Sequence, residues 1–108
     1  DVETGVIIRL STIGKVKNPK IYNVDTLEHM IINEEMQEGD EITINTCKKQ
    51  KSITLLRDGI PYNIIGKLKA GSTWFNLIPG DNLFTYEADI FPENLKCVFI
   101  INNRFEGV

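Results

Sequence analysis

The chain has 108 residues, a formal net charge of −3 and a hydrophobic fraction of 42%, which is typical of one globular domain. This composition excludes disorder and collagen-like repeats, and the acidic balance argues against nucleic acid as a partner, because binding to phosphate backbones needs a basic face. No run of 18 apolar residues is present, and the N-terminus lacks the features of a signal peptide. We therefore expect a single domain over residues 1–108, with no membrane span and little room for a large active-site cleft.

Short stretches rich in β-branched and aromatic residues recur along the chain, each closed by Gly, Pro, Asn or Asp. They predict an all-β fold of two packed antiparallel sheets, a β-sandwich for which jelly-roll order is one possible topology. The predicted strands are Val6–Leu10, Ile21–Val24, Leu27–Ile32, Glu41–Thr46, Ser52–Arg57, Trp74–Leu77, Leu83–Ala88 and Leu95–Asn102. The predicted turns are Asn18-Pro19, Gly39-Asp40, Asp58-Gly59 and Pro79-Gly80-Asp81-Asn82.

One helix and two strand faces can be predicted in more detail. Residues Asn33–Glu38 could form a helix of barely one turn, with Asn33 as its cap and Gly39 ending it. Glu34 and Glu35 would suit the positive end of the helix dipole. In Glu41–Thr46, strict alternation places Ile42 and Ile44 on the core face. The last strand is largely apolar on both faces: one face has Leu95, Cys97, Phe99 and Ile101, and the other has Lys96, Val98 and Ile100. It is therefore either a central strand or a strand whose second face meets a partner.

The chain lacks the signatures of catalysis. Nucleophile-elbow, zinc-protease, phosphate-loop and C-x-x-C motifs are all absent, and His29 is interpreted as a structural histidine. Cys47 and Cys97 are expected to be reduced thiols, although Lys48 and Lys49 could lower the pKa of Cys47. We therefore expect no enzyme; a small hydrolase is the weakest alternative.

Adjacent carboxylates do not converge in an extended chain, because neighbouring side chains point to opposite faces. The pairs Glu34 with Glu35 and Asp40 with Glu41 are therefore interpreted as solvated turn and edge charges. Asp81 and Asn82 offer oxygen ligands in a turn, but the alternating ligands of a calcium loop are missing. We expect no metal ion and no cofactor.

The only basic segment spans residues 47–70, which hold six basic residues and one acidic residue. Lys48, Lys49 and Lys51 form a predicted loop within it, either a soluble hairpin tip or a contact for an acidic partner or an anionic cell-wall polymer.

Four rings could stack on a sugar if they are exposed, namely Trp74, Tyr62, Tyr86 and Phe91. Trp74 and Phe75 follow one another in a predicted strand and so face opposite ways, and we assign Phe75 to the core together with Leu77. Trp74 is left either to pack under a loop or to stack on a ligand.

Three stretches of the sequence resemble the C-terminal domain of siphophage distal tail proteins. They are Asn18-Pro19-Lys20-Ile21 through Asn23, the Gly39–Thr46 stretch of pattern G-D-x-I-x-I-x-T, and the Ser72–Asn82 stretch containing W-F-x-L-x-P-G-x-N, with Phe105-Glu106-Gly107-Val108 closing the chain. They occur in the family's order and cover nearly the whole chain.

The resemblance implies a galectin-like β-sandwich at the outer edge of a homohexameric ring, the hub that joins the tail tube to the host-recognition apparatus at the virion tail tip. The ring is built by an N-terminal belt domain, so this chain would be the C-terminal part of a longer tail protein, monomeric alone and assembled in the bacterial cytoplasm. Implied partners are other tail-tip proteins, such as a tail-associated lysin or fibre and a receptor-binding protein. The loop Lys48–Lys51 and the loop Asp89–Asn94 are the expected contact regions.

The alternative function is a carbohydrate-binding module for bacterial cell-surface polysaccharide, which a sandwich could serve equally well. The candidate binding residues for either function are Lys48, Lys49, Lys51, Trp74 and Phe91.

Overall fold

The computed structural model describes residues 4–47, 51–75 and 83–103, which contain nine β-strands, two short 3-10 helices and no α-helix. The strands are β1 (Thr4–Thr12), β2 (Val16–Asn23), β3 (Glu28–Ile31), β4 (Glu35–Met36), β5 (Glu41–Asn45), β6 (Ser52–Arg57), β7 (Ile60–Asn63), β8 (Phe84–Ile90) and β9 (Leu95–Asn103). The 3-10 helices are Ile65–Lys67 and Pro92–Asn94. All strand pairs are antiparallel.

The strands form two sheets that pack face to face, as the predicted β-sandwich requires. Sheet A has five strands in the order β7-β6-β5-β1-β9. In sheet B, β2 lies in the centre, with β3 and β4 along one edge and β8 along the other. Because β1 pairs with β9, and β2 with β8, the two sheets join early and late parts of the chain.

The core lies between the sheets and is built from alternate residues of each strand. Ile42 and Ile44 are fully buried, which confirms the face predicted for β5, and Phe75 is fully buried as predicted. The other fully buried apolar residues are Val6, Ile8, Leu10, Val16, Ile21, Met30, Ile32, Met36 and Ile53. Phe84 joins the two halves of this core by packing against Phe75 and stacking on Phe99, with ring centroids 5.5 and 4.5 Å apart.

The predicted turn at Asp58-Gly59 is confirmed, but the strand after it was not predicted. Asp58 and Gly59 have φ of 53° and 77°, as a two-residue type I′ hairpin turn requires. The turn leads from β6 into β7, which contains Pro61. A proline within an apolar run argues against a strand, and it is tolerated here because β7 is at the edge of the sheet.

The predicted helix over Asn33–Glu38 is wrong, because this segment is extended and contains β4. Met36 pairs with Val16 of β2 and is fully buried, and Asn18 donates its amide hydrogen to the carbonyl of Glu34. Burial of Met36 against sheet B outweighs the local helix signal of a capping Asn and two glutamates.

The predicted turn at Asn18-Pro19 is also wrong, since both residues lie within β2. Asn18 has φ of 55° and bends the strand without ending it. Pro19 lies opposite Ala88 in β8, and its carbonyl accepts a hydrogen bond from Ile32. The predicted turn at Gly39-Asp40 is confirmed, with φ of 86° at Gly39, and Pro79–Asn82 lies outside the described residues.

The predicted strand Trp74–Leu77 is wrong in its described part, because Trp74 and Phe75 are in irregular structure. They follow a covering segment, residues 67–73, that runs along the outer edge of β3. Thr73 and Lys69 donate their amide hydrogens to the carbonyls of His29 and Ile31, each at 2.8 Å. Leu77 lies outside the described residues.

The prediction that β9 is a central strand is wrong as well. Among the described strands, β9 has β1 as its single neighbour and forms one edge of sheet A. Val98 on its outer face is 54% exposed, so the other interpretation, that this face meets a partner, remains a prediction.

Candidate functional site

Two of the predicted binding residues meet in the structure. Lys51, exposed just before β6, holds its ammonium nitrogen 5.7 Å from the centre of the Trp74 ring, within the range of a cation–π contact. Trp74 is partly buried and packs against the core. Lys48 and Lys49 lie outside the described residues.

Phe91 lies at the opposite end of the sandwich from this pair. Lys51 lies next to Ser52, which is connected to Ile7 of β1 through the pairs Ser52–Asn45 and Asn45–Ile7. The 3-10 helix that follows Phe91 leads instead into Leu95, and Leu95 pairs with Thr12 at the last position of β1. Phe91 is 48% exposed and has φ of 58°, a conformation that is rare for an aromatic residue. The structure therefore does not gather the predicted binding residues into one site.

A groove that the sequence analysis missed lies on the outer face of sheet B, at the turn between β2 and β3. It has a volume of about 400 Å³ and is lined by Tyr22, Asn23, Val24, Leu27, Glu28, His29, Thr85 and Glu87. Thr85, Tyr22 and His29 are directly opposite one another on three neighbouring strands. The Tyr22 and His29 rings are tilted by 50° with centroids 6.3 Å apart.

Asn23 at this groove has a buried donor. Its side-chain oxygen accepts hydrogen bonds from the amides of Asp25 at 3.0 Å and Thr26 at 3.3 Å, which orients the side-chain amide. The residue is fully buried, and its Nδ2 has no hydrogen-bond partner in the described structure. Asn23 alternates with the outward-facing Tyr22 along β2 and has no accessible surface, so this donor lies on the core side of sheet B and is not reached from the groove.

A surface ion pair borders the groove on the same face. Lys20 Nζ lies 2.6 Å from the Asp89 carboxylate, and Asn18 Nδ2 donates to the same carboxylate at 2.9 Å. The hydrogen bond from Lys20 lowers the pKa of Asp89 below its ordinary value, and the same contact raises the pKa of Lys20. Lys20 is therefore engaged next to the groove rather than within it.

The interpretation of Asp40 as a solvated turn charge is wrong, because Asp40 is buried and paired with Arg57. Asp40 is 3% exposed, and its carboxylate accepts hydrogen bonds from Arg57 Nε at 3.0 Å and from Arg57 Nη2 at 2.6 Å. The hydrogen bond to Asp40 raises the pKa of Arg57 above its usual value. Glu41 instead faces Arg9 at 3.6 Å on the outside of sheet A. Asp40 therefore fixes the turn before β5 to the end of β6, whereas Glu41 lies in a partly exposed ion pair at the surface.

The remaining reactive side chains are also dispersed. Neither Cys47 nor Cys97 forms a disulfide, and burial raises the pKa of the Cys97 thiol to about 12. Within residues 4–47, 51–75 and 83–103, no three His, Cys, Asp or Glu side chains come together as metal ligands would. Asp81 and Asn82 lie outside the described residues. No helix in the described part of the chain has the length and apolarity needed to span a bilayer.

A comparison with protein families matches residues 1–96 to the siphovirus-type tail component, C-terminal domain. The matched region extends from the start of the chain into β9. The chain belongs to this family of siphovirus tail components. No curated protein and no solved structure gives a significant match.

Membership of the siphovirus tail component family confirms the resemblance seen in the sequence. The family consists of structural components of the tail, so the chain is a virion tail protein that interacts with other phage tail proteins. Its β-sandwich supplies the scaffold on which the Lys51–Trp74 contact, the Phe91 end and the groove are arranged.

Proposed function

We propose that this tail component is the peripheral C-terminal domain of a longer distal tail protein at the tail tip. There it would help connect the tail tube to the host-recognition apparatus, including a tail-associated lysin or fibre and a receptor-binding protein. The match of residues 1–96 to a tail component's C-terminal domain carries this proposal. In this assignment residues 1–108 act as one domain, and the ring is built by residues outside this chain.

The placement of the candidate contact residues supports a connecting role. A connector needs two separate surfaces, and Lys51 with Trp74 lies at one end of sheet A while Phe91 lies at the other. The basic stretch of sequence that includes Lys48, Lys49 and Lys51 suits an acidic neighbour. Phe91, with Ile90 42% exposed beside it, suits an apolar contact.

The experiment is to locate the domain in intact virions. An epitope inserted between Asp58 and Gly59, an exposed hairpin tip, leaves the core untouched. Gold-labelled antibody is expected at the tail end distal to the capsid. The same epitope in the tail-tube protein is the control and should label the tube along its length. Label along the tube or at the capsid junction, or virions that carry none of the tagged protein, would contradict the proposal.

The second candidate function is attachment to cell-surface polysaccharide. Lys48, Lys49, Lys51, Trp74 and Phe91 do not support it as a group, since Phe91 lies far from the Lys51–Trp74 contact. The observation that favours it is the groove on sheet B, which is lined by the Tyr22 and His29 rings together with hydroxyl and carboxylate groups.

A further inference from the structure

The chemistry of the sheet B groove defines the ligand that would fit it. A volume of about 400 Å³ lies within the usual range of small-molecule sites, roughly 300–1,000 Å³. The aromatic rings of Tyr22 and His29 line the groove at a tilt to one another, and Thr85 lies directly opposite Tyr22 on the neighbouring strand. Rings of this kind offer an apolar surface with a polar edge.

The polar groups around the rings favour hydroxyl-bearing ligands over anions. Glu28 and Glu87 are the charged residues that line the groove, and carboxylates accept hydrogen bonds from hydroxyl groups. No lysine or arginine lines the groove, and the nearby Lys20 is paired with Asp89 at 2.6 Å. A phosphate or a carboxylate would meet two negative charges with no lysine or arginine in the lining to offset them.

The hydroxyl groups of Tyr22 and Thr85 lie beside these carboxylates in the lining of the groove and can donate or accept hydrogen bonds. A ligand that donates to carboxylates and also exchanges hydrogen bonds with hydroxyl groups satisfies this set, and the hydroxyl groups of a sugar do both.

An added peptide strand is disfavoured at this place. The covering segment already pairs with the outer edge of β3, through Thr73 to His29 and Lys69 to Ile31, and β2 is paired along both edges. The backbone groups on the β3 side of the groove are therefore used, and the other edge of β8 carries Glu87 and Asp89, whose charges oppose strand addition.

We propose that this groove binds an uncharged saccharide, with a sugar ring stacked on Tyr22 and its hydroxyl groups on Glu28, Glu87 and Thr85. The inference rests on the second candidate function and places its site on sheet B. Several copies of the domain in one tail would strengthen a weak monovalent interaction by avidity.

The test is a titration of the ¹⁵N-labelled 108-residue chain with glucose, galactose, rhamnose and N-acetylglucosamine, each to millimolar concentration, and with glycerol phosphate as the anionic contrast. At least one neutral sugar is expected to shift the amide signals of Tyr22, His29, Thr85 and Glu87 in a saturable way. Glycerol phosphate should produce no such shift.

Variants decide whether the groove is the site. Tyr22→Leu, which removes the ring but keeps an apolar side chain, and Glu87→Gln, at an exposed position, should each weaken binding about tenfold. Glu38→Gln, at an exposed position in the turn before β5 and outside the groove lining, is the matched control for Glu87→Gln and should bind as the native chain does. The spectrum of each free variant shows whether it is folded.

Three results would overturn the proposal. They are the absence of shifts with every neutral sugar, shifts centred on Lys51 and Trp74, or binding that both folded groove variants retain. None of these would alter the location of the domain in the virion, so failure of the saccharide site is distinguishable from failure of the tail-tip assignment.

Discussion

At the scale of single residues, the most consequential contact is that of Arg57 with Asp40. Asp40 follows the Gly39 turn and is buried, and it also accepts a hydrogen bond from the Gln37 amide at 2.7 Å. Arg57 extends its Nη2 to the carbonyl of Glu35 at 3.1 Å. One side chain at the end of β6 thus ties β4 and the turn before β5 to sheet A.

Removing Arg57 should destabilise the chain substantially. Arg57→Ala leaves the Asp40 carboxylate buried with the Gln37 amide as its remaining donor, and we expect a loss of about 2 kcal/mol in the free energy of unfolding. The loss is smaller than for a fully buried pair because the Arg57 side chain is 32% exposed. Urea unfolding followed by tryptophan fluorescence measures it.

Arg9→Ala is the matched control for this prediction. Arg9 and Glu41 lie on the outer surface, with side chains 46% and 37% exposed and 3.6 Å apart. The loss there should be within about 0.5 kcal/mol, as for other exposed pairs. Equal losses in the two variants would show that burial of Asp40 does not set the strength of the Arg57 contact.

At the scale of elements, the hairpin between β6 and β7 depends on its turn residues. Gly59 has φ of 77°, and a Cβ built there would have no heavy atom within 4 Å. The backbone conformation is therefore the reason for glycine at this position, and not lack of space.

Gly59→Ala should lower the free energy of unfolding by about 1 kcal/mol, because an L-residue is strained at positive φ. Gly66→Ala is the control, since a Cβ at Gly66 is equally unobstructed and its φ is not positive. It should be neutral or slightly stabilising. A loss of stability at Gly66 as large as that at Gly59 would refute the role of the turn conformation.

At the scale of the whole molecule, the described sheet edges are protected against pairing with other copies. The covering segment pairs with β3, and β7 is short and contains Pro61. The free edge of β8 carries Glu87 and Asp89, and the outer face of β9 carries Lys96. Charges and proline at sheet edges oppose edge-to-edge association.

We therefore predict that the chain alone is monomeric, with ring formation depending on the rest of the tail protein. Light scattering during gel filtration should give a mass of 12.3 kDa. Val98→Lys, on the exposed face of β9, should leave this mass unchanged. A dimer that Val98→Lys dissociates would instead show that the apolar outer face of β9 joins two copies.

Much of the architecture can be predicted from the sequence because its cause is local. Alternation in Glu41–Asn45 places Ile42 and Ile44 in the core, and the Asp58-Gly59 pair predicts a tight turn. β4 and the path of Asn18-Pro19 could not be predicted in this way. Burial of Met36 and pairing of β2 with three other strands decide them, and these depend on distant residues.

The groove on sheet B likewise has one part that the local sequence indicates and one part that depends on distant residues. Tyr22 and His29 lie in two neighbouring predicted strands, so a hairpin register through residues 24–27 was the available signal for their meeting. Thr85 and Glu87 join them from a strand more than fifty residues away, which no local pattern shows.

The sequence by itself determined the fold class, the core face of β5 and the family, because alternation, turn residues and recurring short patterns are properties of neighbouring positions. Only the tertiary structure decided that β9 lies at an edge among the described strands of sheet A, that Lys51 contacts Trp74 while Phe91 lies at the other end, and that a groove forms on sheet B. The physical reason is that sheet pairing brings distant residues together through hydrogen bonds and burial, which are summed over the whole chain.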